Sequence, residues 1–188
     1  HEAGLKVVVP STPHDTKGLL IAAIRDPDPV VFLEPKLIYR AFREEVPEEA
    51  YEVPIGEAAV RREGSDVSVF TYGAMTRPTL EAAENLAEEN GIDAEVVDLR
   101  TVSPLDRESI VESFKKTGRA VVVHEAPKSG GLGGEITSLI QEEALYYQEA
   151  PVQRVTGFDV PVPLYAMEDY YLPNAARVED GIREAVEF

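Results

Sequence analysis

The feature that most constrains the fold is a regular alternation of two kinds of segment, which begins near residue 66. Short apolar runs such as DVSVFTYG and RAVVVHE have the length and composition of buried strands. The longer segments between them carry apolar residues three and four positions apart, which is the spacing of an amphipathic helix. The predicted strands are residues 66–73, 94–99, 119–125 and 152–157, and the predicted helices are residues 76–89, 106–116, 134–146 and 174–186. This order predicts an α/β domain with a mainly parallel sheet.

A separate β-α-β unit precedes this domain. LKVVV predicts a strand from Leu5, residues 14–25 predict a helix, and VVFLEP predicts a second strand. Residues 35–64 contain the acidic cluster EEVPEEAYE and little periodicity, so we interpret them as a connector with a domain boundary near residue 55. One such unit leaves an apolar face and open sheet edges, and we expect additional sheet from upstream sequence or another chain.

The charge of the chain limits its partners. There are 35 acidic residues against 18 basic ones, a net charge of -17, which argues against binding to nucleic acid or an anionic membrane. Because salt screens self-repulsion, this charge favours a halophilic origin, and an ordinary acidic cytoplasmic protein is the alternative. The chain has no Cys, and we find no membrane-spanning stretch or signal peptide, so we expect a cytoplasmic protein. Its start at His1 suggests a processed chain or a fragment.

The glycine-rich segment VVVHEAPKSGGLGGEI, residues 121–136, raises the possibility of a phosphate-binding loop. A glycine turn that leads from a strand into a helix can offer N–H groups to an anion. Its glycines are Gly130, Gly131, Gly133 and Gly134. Their spacing fits neither the dinucleotide fingerprint nor the P-loop, and Glu135 would repel a phosphate. We therefore favour glycines that allow close packing of the chain.

His124 lies at the carboxyl end of a predicted strand, where open α/β sheets bind ligands. Its neighbour Glu125 makes an ion-paired surface histidine equally compatible with the sequence. No nucleophile elbow, zinc-protease motif or Walker motif occurs, so the residues alone indicate an acidic α/β protein without an assigned chemistry.

Five local strings carry a more specific signal. They are HEAGLKVVVPSTPHDTKGLL, AIRDPDPVVFLEPKLIYR, VVDLRTVSPLD, KTGRAVVVHEAP and RVTGFDVPVP. In this order and spacing they resemble the β subunit of the E1 component of 2-oxo acid dehydrogenase complexes. That family uses thiamin diphosphate and acts on pyruvate or branched-chain 2-oxo acids. The resemblance covers essentially the whole chain.

The resemblance implies a domain division and a mechanism. Residues 1–55 resemble the tail of the thiamin pyrimidine-binding domain, and residues 56–188 resemble a complete transketolase C-terminal-like domain. In the family, thiamin diphosphate and Mg lie between the α and β subunits, and the β-subunit glutamate that activates the cofactor falls upstream of His1. The expected activity is oxidative decarboxylation of a 2-oxo acid with acyl transfer to lipoyl-E2, in an α2β2 assembly. No catalytic residue is therefore expected in this chain.

The resemblance also implies a potassium site. The matching positions follow the first helix, and oxygen ligands suit this hard ion. They are Ala23, Ile24, Asp26 and Asp28. The family often has an amide side chain where this sequence has Asp28, and the alternative is that Asp26-Pro27-Asp28-Pro29 is only a tight turn.

Three partners follow from the same resemblance: an E1 α subunit, a second β subunit and the basic subunit-binding domain of E2. Phe188 matches the position that holds the E2 domain, and His124 and Glu125 match a face that lies between subunits or lines a channel. Two alternatives remain: a stand-alone docking module of the transketolase C-terminal type without catalysis, and, below it, another thiamin enzyme such as a transketolase.

Overall fold

The computed structural model describes residues 4–188 and shows an α/β fold. Its strands are β1 (Lys6–Val8), β2 (Val30–Phe32), β3 (Ala59–Arg62), β4 (Val67–Thr71), β5 (Ala94–Asp98), β6 (Thr101–Ser103), β7 (Ala120–Pro127) and β8 (Gln153–Gly157). Its helices are α1 (Pro13–Arg25), α2 (Thr76–Asn90), α3 (Arg107–Thr117), α4 (Leu132–Glu143), α5 (Glu168–Tyr171) and α6 (Ala175–Val186). Single 3-10 turns cover Lys36–Ile38, Gly73–Met75 and Leu145–Tyr147. Among the described helices none has the length and apolar character to cross a bilayer.

The main sheet has five strands in the order β3-β5-β4-β7-β8. Strands β4, β5, β7 and β8 are parallel to their neighbours, and β3 lies antiparallel to β5 at one edge. Helices α2 and α6 cover one face with a core that includes Leu86 and Ile182, and α3 and α4 cover the other with Phe114 and Ile140. The predicted α/β class with a mainly parallel sheet is confirmed.

The amino-terminal unit forms a second, three-stranded sheet in the order β2-β1-β6. Strand β6 belongs to the carboxyl-terminal half of the chain and pairs antiparallel with β1, where Val7 faces Ser103. The expectation that all added sheet comes from upstream sequence or another chain is therefore wrong for one edge of β1. The unit has its own small core of Val8, Leu19 and Val53.

The sequence patterns missed three short elements, β3, β6 and α5. Strand β3 reads AVRR and lies inside the predicted connector, and β6 has only three residues, TVS. Neither strand is long enough to show the alternation of apolar and polar residues that identifies a strand in a sequence. Helix α4 starts at Leu132 and ends at Glu143, so the predicted end at residue 146 is wrong, because the chain tightens there into a 3-10 turn.

Candidate functional site

The topology creates a crevice between β4 and β7. The chain leaves β4 through α2 towards β5 and leaves β7 through α4 towards β8, so the carboxyl ends of these neighbouring strands diverge. This divergence is the switch point at which open α/β sheets form a ligand-binding crevice. The space there measures about 420 Å³. It is lined by Tyr72, Val102, Ala126, Gly130, Gly131, Leu132 and Glu135.

His124 lies beneath this crevice and is fully buried. Its Nδ1 is 3.0 Å from the carbonyl oxygen of Ala126, and its Nε2 accepts the N–H of Gly133 at 3.2 Å. Nδ1 must therefore donate, which fixes a neutral imidazole with its proton on Nδ1. Burial lowers the pKa of His124 and favours the same neutral form. The ring thus satisfies an N–H in the first turn of α4 that has no partner within the helix.

Two glycines allow the loop to close over this imidazole. A Cβ on Gly131 would lie 2.5 Å from the carbonyl oxygen of Pro127 and 2.6 Å from Cε1 of His124. A Cβ on Gly133 would lie 2.9 Å from Nε2 of His124, whereas one on Gly134 would meet only Nη1 of Arg154 at 4.0 Å. The close packing expected of the loop holds at Gly131 and Gly133 but not at Gly134. Because His124 already takes the N–H of Gly133, the segment also lacks one donor that a phosphate would need.

Glu125 and Tyr72 complete the surroundings of the crevice. Burial raises the pKa of the half-buried Glu125 carboxyl, and the charge of Glu168 raises it further. Burial raises the pKa of Tyr72 to about 12, and its ring plane is inclined by 24° to that of His124, with centroids 6.4 Å apart. Since His124 is buried and bonds to backbone atoms of this chain, the interpretation of it as an ion-paired surface histidine is wrong. A partner could reach it only through the covering loop, so its inter-subunit role stays a prediction, as does that of Glu125.

The residues predicted to hold potassium lie together at the end of α1. Lys6 Nζ contacts Asp26 at 2.7 Å and Asp28 at 3.1 Å, so an ammonium group already lies between the two carboxylates. The carbonyls of Ala23 and Ile24 lack their helical donors, because position 27 is proline and the N–H of Asp28 bonds to Oδ1 of Asp26 at 2.9 Å. Two carbonyl oxygens at the predicted site are thus left without helical hydrogen bonds, whereas Lys6 would compete with a potassium ion for the two carboxylates.

Phe188 lies 78% exposed just beyond α6, beside a shallow depression that also contains Leu145 and Pro151. This exposure leaves the predicted E2 contact accessible without testing it. Among residues 4–188 no group of three His, Cys, Asp or Glu side chains could hold a metal ion.

Sequence reasoning missed a buried ion network between the two units. The guanidinium of Arg61 on β3 contacts Asp15 on α1 and Asp98 at the end of β5, with 2.8 Å from Nη2 to Oδ2 of Asp98. Arg100 lies 3.4 Å from Asp15, and the Ser11 hydroxyl donates to Asp98. Asp98 and Arg100 fall within VVDLRTVSPLD, but only the placement of an acid at the end of an apolar strand could have indicated the network.

A comparison with protein families adds evidence on ancestry. The model of the transketolase C-terminal domain matches residues 56–178. The chain belongs to this family. A second family model, that of the transketolase pyrimidine-binding domain, matches residues 1–41, which precede the C-terminal domain in the sequence.

Curated relatives that match the whole chain confirm the resemblance to E1 β subunits. The pyruvate dehydrogenase E1 component subunit beta of Bacillus subtilis is 53% identical over 100% of this chain and 57% of its own length. The mitochondrial 2-oxoisovalerate dehydrogenase subunit beta of Dictyostelium discoideum is 49% identical over 99% of this chain and 50% of its own length. The chain therefore spans about half the length of these relatives.

A solved structure supports the fold. A chain described as "Split gene transketolase, inactive beta4 tetramer" superposes with a TM-score of 0.80 and 32% sequence identity. The superposition covers 98% of this chain and 58% of the other. The transketolase C-terminal-like fold is thereby confirmed.

Proposed function

We propose that this chain forms part of the β subunit of a thiamin diphosphate-dependent 2-oxo acid dehydrogenase E1, which decarboxylates pyruvate or a branched-chain 2-oxo acid oxidatively and transfers the acyl group to lipoyl-E2. The observation that carries this proposal is the identity of 53% and 49% to two such β subunits across essentially the whole chain. In this proposal residues 1–55 contribute to the pyrimidine-binding domain and residues 56–188 form the C-terminal domain.

Thiamin diphosphate, when bound, supplies the electron sink for decarboxylation. The described residues offer no metal cluster for its Mg, and the buried His124 is engaged with Ala126 and Gly133. In this proposal the cofactor and its Mg are held by the α subunit and by upstream β residues. This chain builds the wall of the C-terminal domain and the surfaces for assembly, and it supplies no catalytic acid or base.

The proposed partners are an E1 α subunit, a second β subunit and the E2 subunit-binding domain. Self-association is supported by the split transketolase, whose description names a β4 tetramer. Two observations support an E2 contact. Phe188 is exposed, and the net charge of -17 would attract a basic subunit-binding domain. The carbonyls of Ala23 and Ile24, with Asp26 and Asp28, remain our proposed potassium ligands, and a cytoplasmic, halophilic setting remains a proposal based on charge.

The function can be tested with the natural gene product, co-produced with its E1 α subunit. We expect 2-oxo acid-dependent reduction of an artificial electron acceptor that requires added thiamin diphosphate and Mg. Pyruvate and 3-methyl-2-oxobutanoate, assayed in parallel, would assign the substrate class. Absence of activity with both acids in an intact, folded assembly would contradict the proposal.

The docking module without catalysis remains the second candidate, because the chain matches only about half of its relatives. The intact mass of the natural product in molar KCl separates the two. A mass near that of this chain, 20.6 kDa, would favour the module, and a mass near that of a complete β subunit would favour the enzyme.

A further inference from the structure

A groove beside β8 brings positive side chains together in a strongly acidic chain. Its walls include residues 154–157 of this strand and one side of α6, and its volume is about 480 Å³. We call it the β8 groove and define it by its charged residues. They are Lys128, Arg154, Asp159, Arg177, Asp180 and Glu184. Three cations thus share one groove in a chain whose net charge is -17.

The three cations of the β8 groove differ from most others in the chain because they have no carboxylate partner among the described residues. Ten of the 18 Lys and Arg side chains form ion pairs with carboxylates of residues 4–188. Lys128, Arg154 and Arg177 do not, although the chain has 35 acidic residues. Positive side chains left without a carboxylate can bind an anion from solution.

The guanidinium of Arg177 is held in place by neutral groups. Its Nη1 donates to the carbonyl oxygen of Tyr171 at 3.1 Å, and its Nη2 donates to the carbonyl oxygen of Thr156. Its central carbon lies 4.7 Å from the centroid of the Phe158 ring. Burial lowers the pKa of Arg177, since no carboxylate offsets the lost hydration. A guanidinium has five N–H donors, so these two bonds leave three donors for a ligand.

The loop after β7 places the other two cations. Nη1 of Arg154 donates to the carbonyl oxygen of Lys128 at 3.3 Å, which uses one of its five N–H donors. In the same loop, Ser129 donates its N–H and its hydroxyl to the carboxylate of Asp159 at 2.9 and 2.7 Å. The loop is thus fastened to β8 and to the segment that follows it, which holds Lys128 next to Arg154.

The acids of the groove do not fully neutralise these cations. Asp180 lies 3.6 Å from Arg183, which offsets its charge, and Asp159 is hydrogen-bonded to Ser129. Glu184 is exposed. Once Asp180 is counted with Arg183, three positive charges face two negative ones. An anion in the groove would therefore meet a net positive charge and two guanidinium groups that bond only to backbone carbonyls of the described chain.

We propose that the β8 groove binds a small anion through a phosphate or carboxylate group held by Lys128, Arg154 and Arg177. Guanidinium groups bind both kinds of group through two parallel N–H···O bonds, and an ammonium group adds a point charge. The volume of about 480 Å³ leaves room for an organic molecule that carries the anionic group. The proposal does not rest on the decarboxylation proposed above, and a binding experiment tests it directly.

The test is isothermal titration calorimetry on the natural gene product at pH 7.5 in 1 M KCl, with inorganic phosphate and succinate as separate probes. The Debye length at this salt concentration is about 3 Å, so distant charges contribute little to binding. We expect saturable binding at one site per chain, with a dissociation constant of about 1 mM or lower for at least one probe. Binding of phosphate alone would assign a phosphate ligand, and binding of succinate alone would assign a carboxylate ligand.

Substitutions locate the site. Lys128→Gln and Arg154→Gln should each weaken binding about fivefold or more, because each removes a charged contact. Arg154→Lys keeps the charge but not the planar fork, so its affinity should lie between those of Arg154→Gln and the unchanged protein. Glu184→Gln removes a carboxylate from the groove and should strengthen binding. Arg43→Gln is the matched control, because Arg43 is an exposed cation that does not line the groove.

The absence of binding by both probes would overturn the proposal. Binding that Lys128→Gln and Arg154→Gln leave unchanged would also overturn it, provided that the melting temperatures show folded variants. An equal loss in Arg43→Gln would do the same, because it would indicate general attraction to surface charge. Calorimetry needs no turnover, so failure of the decarboxylation assay would leave this site standing, and absence of binding would leave the proposed function standing.

Discussion

Replacement of Arg61 by methionine should destabilise the protein strongly, because Arg61 neutralises two buried carboxylates. The side chain of Asp98 is 0% exposed and that of Asp15 is 2% exposed. Methionine keeps most of the apolar length of arginine but leaves these charges without their shared cation. Removing one partner of a buried ion pair costs about 3–5 kcal/mol.

The lower end of that range applies here. Arg100 remains 3.4 Å from Asp15, and the Ser11 hydroxyl still donates to Asp98. We therefore expect a loss of about 3 kcal/mol in the free energy of unfolding, measured by urea titration at pH 7.5 and constant ionic strength. For a chain of this size each kcal/mol lowers the melting temperature by about 2–4 °C, so the decrease should be roughly 6–12 °C.

Acid should reduce this loss. Burial already raises the pKa of Asp98, and Arg61 opposes that rise through its charge and hydrogen bonds. Without Arg61 the pKa of Asp98 rises further, so the folded variant binds a proton more readily than the unfolded chain. Its stability then falls as pH rises above the unfolded pKa of about 3.9. The difference from the unchanged protein should be smaller at pH 5 than at pH 7.5.

Two further variants serve as a rescue and as a control. Adding Asp98→Asn to Arg61→Met should restore more than half of the loss. Arg25→Met, which breaks an exposed pair with Glu52, should cost no more than about 1 kcal/mol. A loss below about 1 kcal/mol for Arg61→Met, or one of equal size at pH 5 and 7.5, would refute the reasoning.

Three other predictions concern the crevice. Gly133→Ala should destabilise the protein by about 1–3 kcal/mol in urea titration because its Cβ meets His124, whereas Gly134→Ala should be neutral or stabilising; equal effects would contradict the packing described. Because burial lowers the pKa of His124, the unfolded chain binds a proton at this histidine more readily than the folded chain does as the pH falls below about 6.5. The stability of the unchanged protein should therefore fall towards pH 5 more steeply than that of His124→Gln, and parallel curves would refute this. Because the pKa of Glu125 is raised, its ionised form opposes folding, so Glu125→Gln should raise the melting temperature at pH 8 but not at pH 4; a decrease at pH 8 would contradict it.

The sequence predicted the main α/β domain because its elements are local. Helix α2, for example, shows its apolar stripe in Leu80, Ala83 and Leu86, and it ends at Asn90, directly before Gly91, whose φ is 69°. Strand β7 begins with the continuous apolar run AVVV, residues 120–123, as expected for a strand covered on both faces. Such patterns are complete within one window of sequence and need no knowledge of distant contacts.

The candidate site was harder to predict from the sequence because its contacts join residues that are far apart in the chain. Arg61 and Asp15 are 46 positions apart, and Arg100 and Asp15 are 85 apart. No spacing rule links such pairs in one sequence. His124 was singled out from its place at the end of a strand, but its buried, neutral state depends on a loop that folds back nine residues later to bring Gly133 over the ring.

Strand β6 connects the two sides of the predicted domain boundary near residue 55, because it follows the boundary in sequence but pairs with β1 before it. Since β6 pairs with β1, a cut in the chain near residue 55 would leave the two pieces joined by one sheet. A shortened protein that begins at residue 56 would expose the backbone of β6 as an unpaired edge and leave Arg61 without Asp15. The segment before residue 56 therefore covers an edge and a buried cation of the following domain, so a shortened protein should be less stable than the whole chain.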